Sequence, residues 1–85
     1  MQTTDLLNER QTTHGSFEMN AIVAQRLRAL FRECTSWHAL PDVQKESLDM
    51  IATKVSRILS GQGDFVGHWE DVEGYAALAR KACTR

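Results

Sequence analysis

The sequence predicts an all-α fold, a small four-helix bundle-like domain spanning residues 1–85, on three observations. Its apolar residues recur at three- and four-residue spacing, with almost no alternating strand pattern. Its single proline, Pro41, and its glycines, at 15, 61, 63, 67 and 74, fall mostly between the periodic stretches. The connections left by those breaks are short, which favours neighbouring helices packed side by side. There is no internal repeat and no low-complexity tract.

A short first helix is expected over about 5–10, capped by Thr3 or Thr4 and followed by the polar segment Gln11 to Gly15. The second runs over about 17–33, with Ser16 as its cap and Glu18 in the first turn, where a negative charge complements the helix dipole. A loop from Cys34 to Leu40 follows. The third, about 41–60, opens with Pro41 at its first position and closes at Gly61. Leu48, Ile51, Ala52, Val55, Ile58 and Leu59 take one side of it, while Glu46, Met50, Thr53 and Arg57 take the other. The fourth, about 68–82, follows the glycine-rich turn from Gln62 to Gly67.

Composition removes several classes of function. Ten basic and eleven acidic side chains leave a net charge of −1, so no global field draws in nucleic acid or an anionic membrane. No stretch is long and apolar enough for a membrane helix, and the N-terminus lacks the basic start and apolar run of a signal peptide. Cys34 and Cys83 lie far apart, match no metal or redox spacing, and read as the reduced thiols of a cytoplasmic protein. No Ser/His/Asp or Cys/His constellation is indicated, and His14, His38 and His68 have no zinc-like spacing. A chain of 85 residues buries a smaller fraction of its surface than a longer one, and homo-oligomerisation is a natural remedy. Ile22 and Ala29 form an apolar spot opposite the main stripe of the second helix, which pairing of subunits would bury.

Two polar residues interrupt apolar stripes. With about 100° per residue, Leu78, Ala82, Tyr75, Ala79, Val72, Ala76 and Trp69 fill one arc of the fourth helix, and Asp71 falls inside it, between Leu78 and Ala82. A carboxylate on a core-facing stripe stays ionised only if a cation, a metal or several donors replace its water. On the second helix, Asn20 projects into the middle of an arc of Met19, Leu30, Val23, Cys34, Leu27, Phe31 and Ala24. A buried amide needs partners for oxygen and nitrogen alike. The two intruders are expected either to converge on one polar pocket or to be satisfied structurally, Asp71 by an ion pair.

Lys54 and Arg57 lie close in projection and suit a cationic clamp for phosphate, although Lys54 can equally snorkel outward and Arg57 can pair with Glu46 or Thr53. Glu46 and Asp49 form an E-x-x-D pair, with Glu70, Asp71 and Glu73 one helix later, hard oxygen ligands of the kind Mg²⁺ takes. His14, Gly15 and Phe17 flank the start of the second helix, where free backbone amides can meet an anion. Trp37 with His38, and His68 with Trp69, offer aromatic faces on which a base can stack.

Three segments resemble one family together: LNERQTTHGSFEMNA at 7–21, ESLDMIATKVSRILSG at 46–61 and HWEDVEGYAALA at 68–79. They are similar to small proteins of tailed phages and prophages that carry an R-x-x-x-H-G-x-F start, an A-x-K-x-x-R-I-L helix and a W-x-D-x-x-G-Y helix. That resemblance directs attention to Arg10, His14, Gly15, Phe17, Asn20, Asp49, Lys54, Arg57, Trp69, Asp71, Gly74 and Tyr75. More distantly, the chain resembles the MazG-like all-α nucleotide pyrophosphatases, which hold Mg²⁺ with acidic pairs and cleave nucleoside triphosphates between the α and β phosphates. Those enzymes have an E-x-x-E helix followed by an E-x-x-D helix. Here only the E-x-x-D at 46–49 and the run Glu70, Asp71, Glu73 are present.

The expectation is therefore a phage-encoded protein of the host cytoplasm that binds a phosphorylated nucleotide or nucleotide-derived immune signal and sequesters it without cleavage. Its ligand contacts are expected from Arg10, His14, Phe17, Asn20, Lys54, Arg57, Trp69, Asp71 and Tyr75, with no catalytic residue and no cofactor. Two alternatives stand beside it. A MazG-like pyrophosphatase would place Mg²⁺ on Glu46, Asp49, Glu70 and Asp71, and a protein-interaction module would inhibit a host protein.

Overall fold

Ser16 caps the helix expected over about 17–33, the first among the described residues: its backbone is extended and its hydroxyl accepts from Met19 N at 3.5 Å. The computed structural model describes residues 16–83, so the expected helix at 5–10 lies outside the described residues. Those residues form three α-helices, α1 (Phe17–Glu33), α2 (Asp42–Leu59) and α3 (Val66–Lys81), and a 3₁₀ turn over Thr35–Ala39, with no strand among them. None of the described helices is long and apolar enough to cross a membrane.

The segment expected as a loop after α1 is the 3₁₀ turn. Cys34 N donates to Phe31 O, Trp37 N to Cys34 O and Leu40 N to Trp37 O, each at 3.1 Å. That tight winding turns Trp37 inward, where it is buried and stacks on Phe31 with ring centroids 5.6 Å apart. The Arg32 guanidinium covers the indole at 4.7 Å. Trp37 is thus a corner anchor instead of a platform for a base.

Pro41 caps α2 from outside, with φ −63° and ψ 158°, one position before the place the sequence suggests. Its ring favours φ near −65° in helical and extended backbone alike, so φ alone does not place it inside the helix. Beyond the other end, Gly61 takes φ 113° and Gln62 N reaches back to Arg57 O at 3.2 Å, which ends the helix.

α3 begins at Val66, two residues before the expected 68, because Gly67 fits within the first turn. A Cβ at Gly67 would lie 3.3 Å from the Phe65 ring. The bare backbone lets that ring lie over the turn and meet His68 edge-on, with centroids 4.7 Å apart. His68 is fully buried as a result.

α1 and α3 both pack against α2, antiparallel to it, and scarcely touch each other. Arg28 with Thr53 and Arg32 with Asp49 mark the first contact. Gln44 Nε2 donating to Ala79 O at 3.3 Å, and Lys54 beside Asp71, mark the second. Small residues are among the buried ones: Ala24 on α1, Ser47, Ala52 and Ser56 on α2. No Leu, Ile, Val, Met or Phe among the described residues is fully buried.

Candidate functional site

A groove of about 210 Å³ opens between the first turns of α1 and the last turns of α2. Its described walls are Phe17, Asn20, Ala21, Ala24, Gln25 and Arg28 from α1, with Thr53, Ser56 and Arg57 from α2. Antiparallel packing makes it, since residue 17 of one helix is set beside residue 57 of the other. Asn20 is buried, as its place in the apolar arc implied, and lies in the wall of the groove. Phe17 stands at the mouth with its side chain largely in solvent, 76% exposed.

The upper wall is a fixed polar network. Arg28 Nη2 donates to Asp49 O at 3.2 Å and to the Thr53 hydroxyl, which itself donates to Asp49 O at 3.3 Å. Ser56 Oγ donates to Thr53 O at 2.6 Å. The Asp49 carboxylate is gripped at both oxygens by Arg32, Nη1 to Oδ1 at 3.1 Å and Nη2 to Oδ2 at 2.8 Å, while Arg28 Nε lies 3.8 Å from Oδ1. That hydrogen-bonded contact with Asp49 raises the Arg32 guanidinium above its ordinary pKa, against the smaller lowering by desolvation. Arg28 and Arg32 thus share the single carboxylate of Asp49, which leaves one net positive charge beside the groove. Arg57, half-buried, has no carboxylate partner among the described residues.

Several expected site residues are not brought to this groove. Asp71 is not on a buried surface: its side chain is 51% exposed and pairs with Lys54 Nζ at 3.0 Å. The apolar arc of α3 is wider than the strip that touches α2, and Asp71 sits on the uncovered margin beside exposed Leu78. Asn20 and Asp71 consequently line different depressions, the second being an open surface along α3 with Glu70, Tyr75 and Lys81. The Lys54 and Arg57 clamp is also divided, with Lys54 turned toward α3 and Arg57 toward α1. Arg57 pairs with neither Glu46 nor Thr53. Trp69 is exposed, its indole Nε1 donating to Gly63 O at 2.7 Å. Arg10 and His14 lie outside the described residues.

A Mg²⁺ centre does not fit the described residues. Asp49 is occupied by two arginines and Asp71 by Lys54, while Glu46 and Glu70 are exposed on separate helices. No group of three or more His, Cys, Asp or Glu side chains among the described residues is disposed to hold a metal ion.

Arg28, Ser56 and Gln25 were not singled out by the sequence, and Thr53 was named only as a partner for Arg57. One signal was available for two of them: Arg28 and Arg32 are four residues apart, as are Asp49 and Thr53, so two antiparallel helices can present matched pairs. In comparisons with known proteins, no family model matches the chain, and neither does any curated protein or solved structure.

Proposed function

We propose that this domain binds a phosphorylated small molecule of the nucleotide class in the groove between α1 and α2, and holds it without cleavage. The observation that carries the reading is Arg57: a half-buried arginine lining a concave site, free of a carboxylate partner among the described residues. A planar fork of donors in such a place suits a phosphate. Arg28, held by Thr53 and Asp49, adds positive charge without being free to swing. Pockets that enclose a drug-sized ligand hold about 300–1,000 Å³. At about 210 Å³ the groove takes one end of a nucleotide and leaves the base against the exposed Phe17 ring. The resemblance to small phage proteins makes a nucleotide-derived signal, kept from its receptor, the natural ligand, and the incomplete acidic pairs support release of that ligand intact.

The test is a thermal-shift screen against mononucleotides and cyclic dinucleotides. A ligand at a hundred times its Kd stabilises the fold by about 2.7 kcal/mol. Arg57→Ala should remove the shift and Lys54→Ala should keep it. Recovery of unchanged ligand after incubation with Mg²⁺ and denaturation is the expected end state. Silence across the panel overturns the binding claim; metal-dependent release of monophosphate and pyrophosphate overturns the claim of storage.

One observation favours a second reading, an interaction module. Leu59, Val66 and Trp69 are exposed together around the α2–α3 turn, and the hydrogen bond from Trp69 to Gly63 fixes the indole in place. Rigid exposed aromatics serve as anchors at protein interfaces. Recovery of one host protein by wild-type chain and its loss with Trp69→Ala, in a chain silent toward nucleotides, would decide for it.

A further inference from the structure

The described walls of the groove between α1 and α2 carry charge of one sign, Arg28 and Arg57 with no carboxylate. Asp49, which holds Arg28 from outside the walls, is shared with Arg32 and offsets only one of those two guanidiniums. Arg57 adds a second positive charge. Glu18, in the first turn of α1, is exposed and outside the walls, and Lys54 is turned away toward Asp71.

Neutral donors are few there. The Thr53 hydroxyl donates to Asp49 O at 3.3 Å and the Ser56 hydroxyl to Thr53 O at 2.6 Å, so neither has a proton left for an anion. Arg28 Nη2 is held by Asp49 O and Thr53, whereas its Nη1 has no hydrogen-bond partner among the described residues. Thr53 and Arg57 are one turn apart on α2, which sets Arg57 about 6 Å along the helix from the point where Arg28 docks. An anion lodged between the two arginines is held by charge, and its affinity follows its own charge.

We infer that the phosphorylated ligand proposed for this groove is a phosphomonoester, a nucleotide whose terminal phosphate is taken as the dianion and without a metal ion, in preference to a phosphodiester. The inference rests on that binding reading and narrows it. A phosphodiester brings one negative charge where two positive charges wait. Mg²⁺ would lower the charge of the ligand, and it finds no carboxylate in the described walls. Size points the same way: about 210 Å³ admits one end of a nucleotide, and a terminal phosphate is an end, whereas a diester is flanked on both sides. Because the dianion is favoured, affinity should rise with pH through the second phosphate pKa, about 6, and level off above it. Arginine keeps its charge across that range.

Isothermal titration calorimetry of the full chain tests this with the 5′-monophosphates of adenosine, guanosine, cytidine and uridine, each beside its methyl ester, a diester of the same nucleoside. At about pH 7.5 at least one monophosphate should bind about tenfold more tightly than its methyl ester, and the advantage should shrink at about pH 5.5. The methyl ester reports any titration of the protein itself, since its own charge is constant. Replacing Mg²⁺ by EDTA should leave the Kd of the monophosphate unchanged. Arg57→Lys, which keeps the charge and loses the planar fork, should keep the preference at lower affinity. Inorganic phosphate, the same dianion without a nucleoside, should bind more weakly, and binding as tight as that of the monophosphate overturns the ester as ligand. Equal affinity within each pair, an advantage that does not change with pH, a requirement for Mg²⁺, or binding confined to cyclic dinucleotides overturns the inference and leaves nucleotide binding standing. Silence toward every probe, cyclic dinucleotides included, overturns both.

Discussion

Arg32 and Asp49 form a two-pronged contact, 2.8 and 3.1 Å at the two oxygens, between the last turn of α1 and the middle of α2. The same guanidinium lies over Trp37, and the carbonyl of Arg32 accepts from His38 Nε2 at 3.1 Å. One arginine therefore ties together a helix end, the following turn and the next helix. Asp49→Ala should lower Tm more than Arg32→Ala, because it also strips Arg28 of its nearest carboxylate and leaves two guanidiniums together. Thermal denaturation of both variants in low and high salt checks the order, and the gap should narrow as salt screens the exposed charges. Equal losses would place the weight of the contact on Trp37 instead of on Asp49.

The two tryptophans should behave oppositely. Trp37 is buried against Phe31 while Trp69 is exposed, so iodide should quench Trp69 and spare Trp37, and Trp69→Phe should leave a blue-shifted emission. Trp37→Ala should cost about 3–5 kcal/mol by urea denaturation. A cost near that of a surface substitution would show that the corner does not depend on it.

Asp71 and Lys54 should contribute little together. With the carboxylate half in solvent, a double-mutant cycle using Asp71→Asn and Lys54→Met should return a coupling of about 1 kcal/mol or less. A coupling several times larger would restore the buried, partner-dependent Asp71 that the helical projection suggested.

Two glycines should respond with opposite sign. Gly61 has φ 113°, where a Cβ meets no neighbour but the backbone itself is costly, and Gly61→Ala should destabilise by about 1–2 kcal/mol. Gly74 is exposed within α3 with open space at its Cβ position, and Gly74→Ala should stabilise by about 0.5–1 kcal/mol. Urea melts of the pair check both. Loss of stability at Gly74 would mean that something not among the described residues packs there.

The described helices were legible because their punctuation is written in the chain: Ser16, Pro41 and Gly61 each sit at or beside a boundary. The 3₁₀ turn was not, since its winding follows from the burial of Trp37 against Phe31, a contact no local pattern announces. Asn20 could be picked out because a lone amide in an apolar arc is visible on a helical wheel. Asp71 was misplaced by the same wheel. A projection shows which residues share a side, and not how much of that side a neighbour covers; among the described residues α3 packs chiefly on α2 and buries a narrow strip against it. Arg28 shows the converse limit, because it becomes part of a site only when antiparallel pairing brings Asp49 and Thr53 to it.

The central position of α2 also bears on how the chain assembles. Among the described residues each helix docks mainly on the one adjacent to it in sequence, so the main helix contacts there do not wait for a distant segment to arrive. Closing the short turn at 60–65 costs little entropy, and α2 shares more of its length with α3 than with α1. The α2–α3 hairpin is therefore the natural nucleus, with α1 joining through the 3₁₀ corner afterwards. Folding through such local steps belongs to the fast, microsecond-to-millisecond class of helical domains.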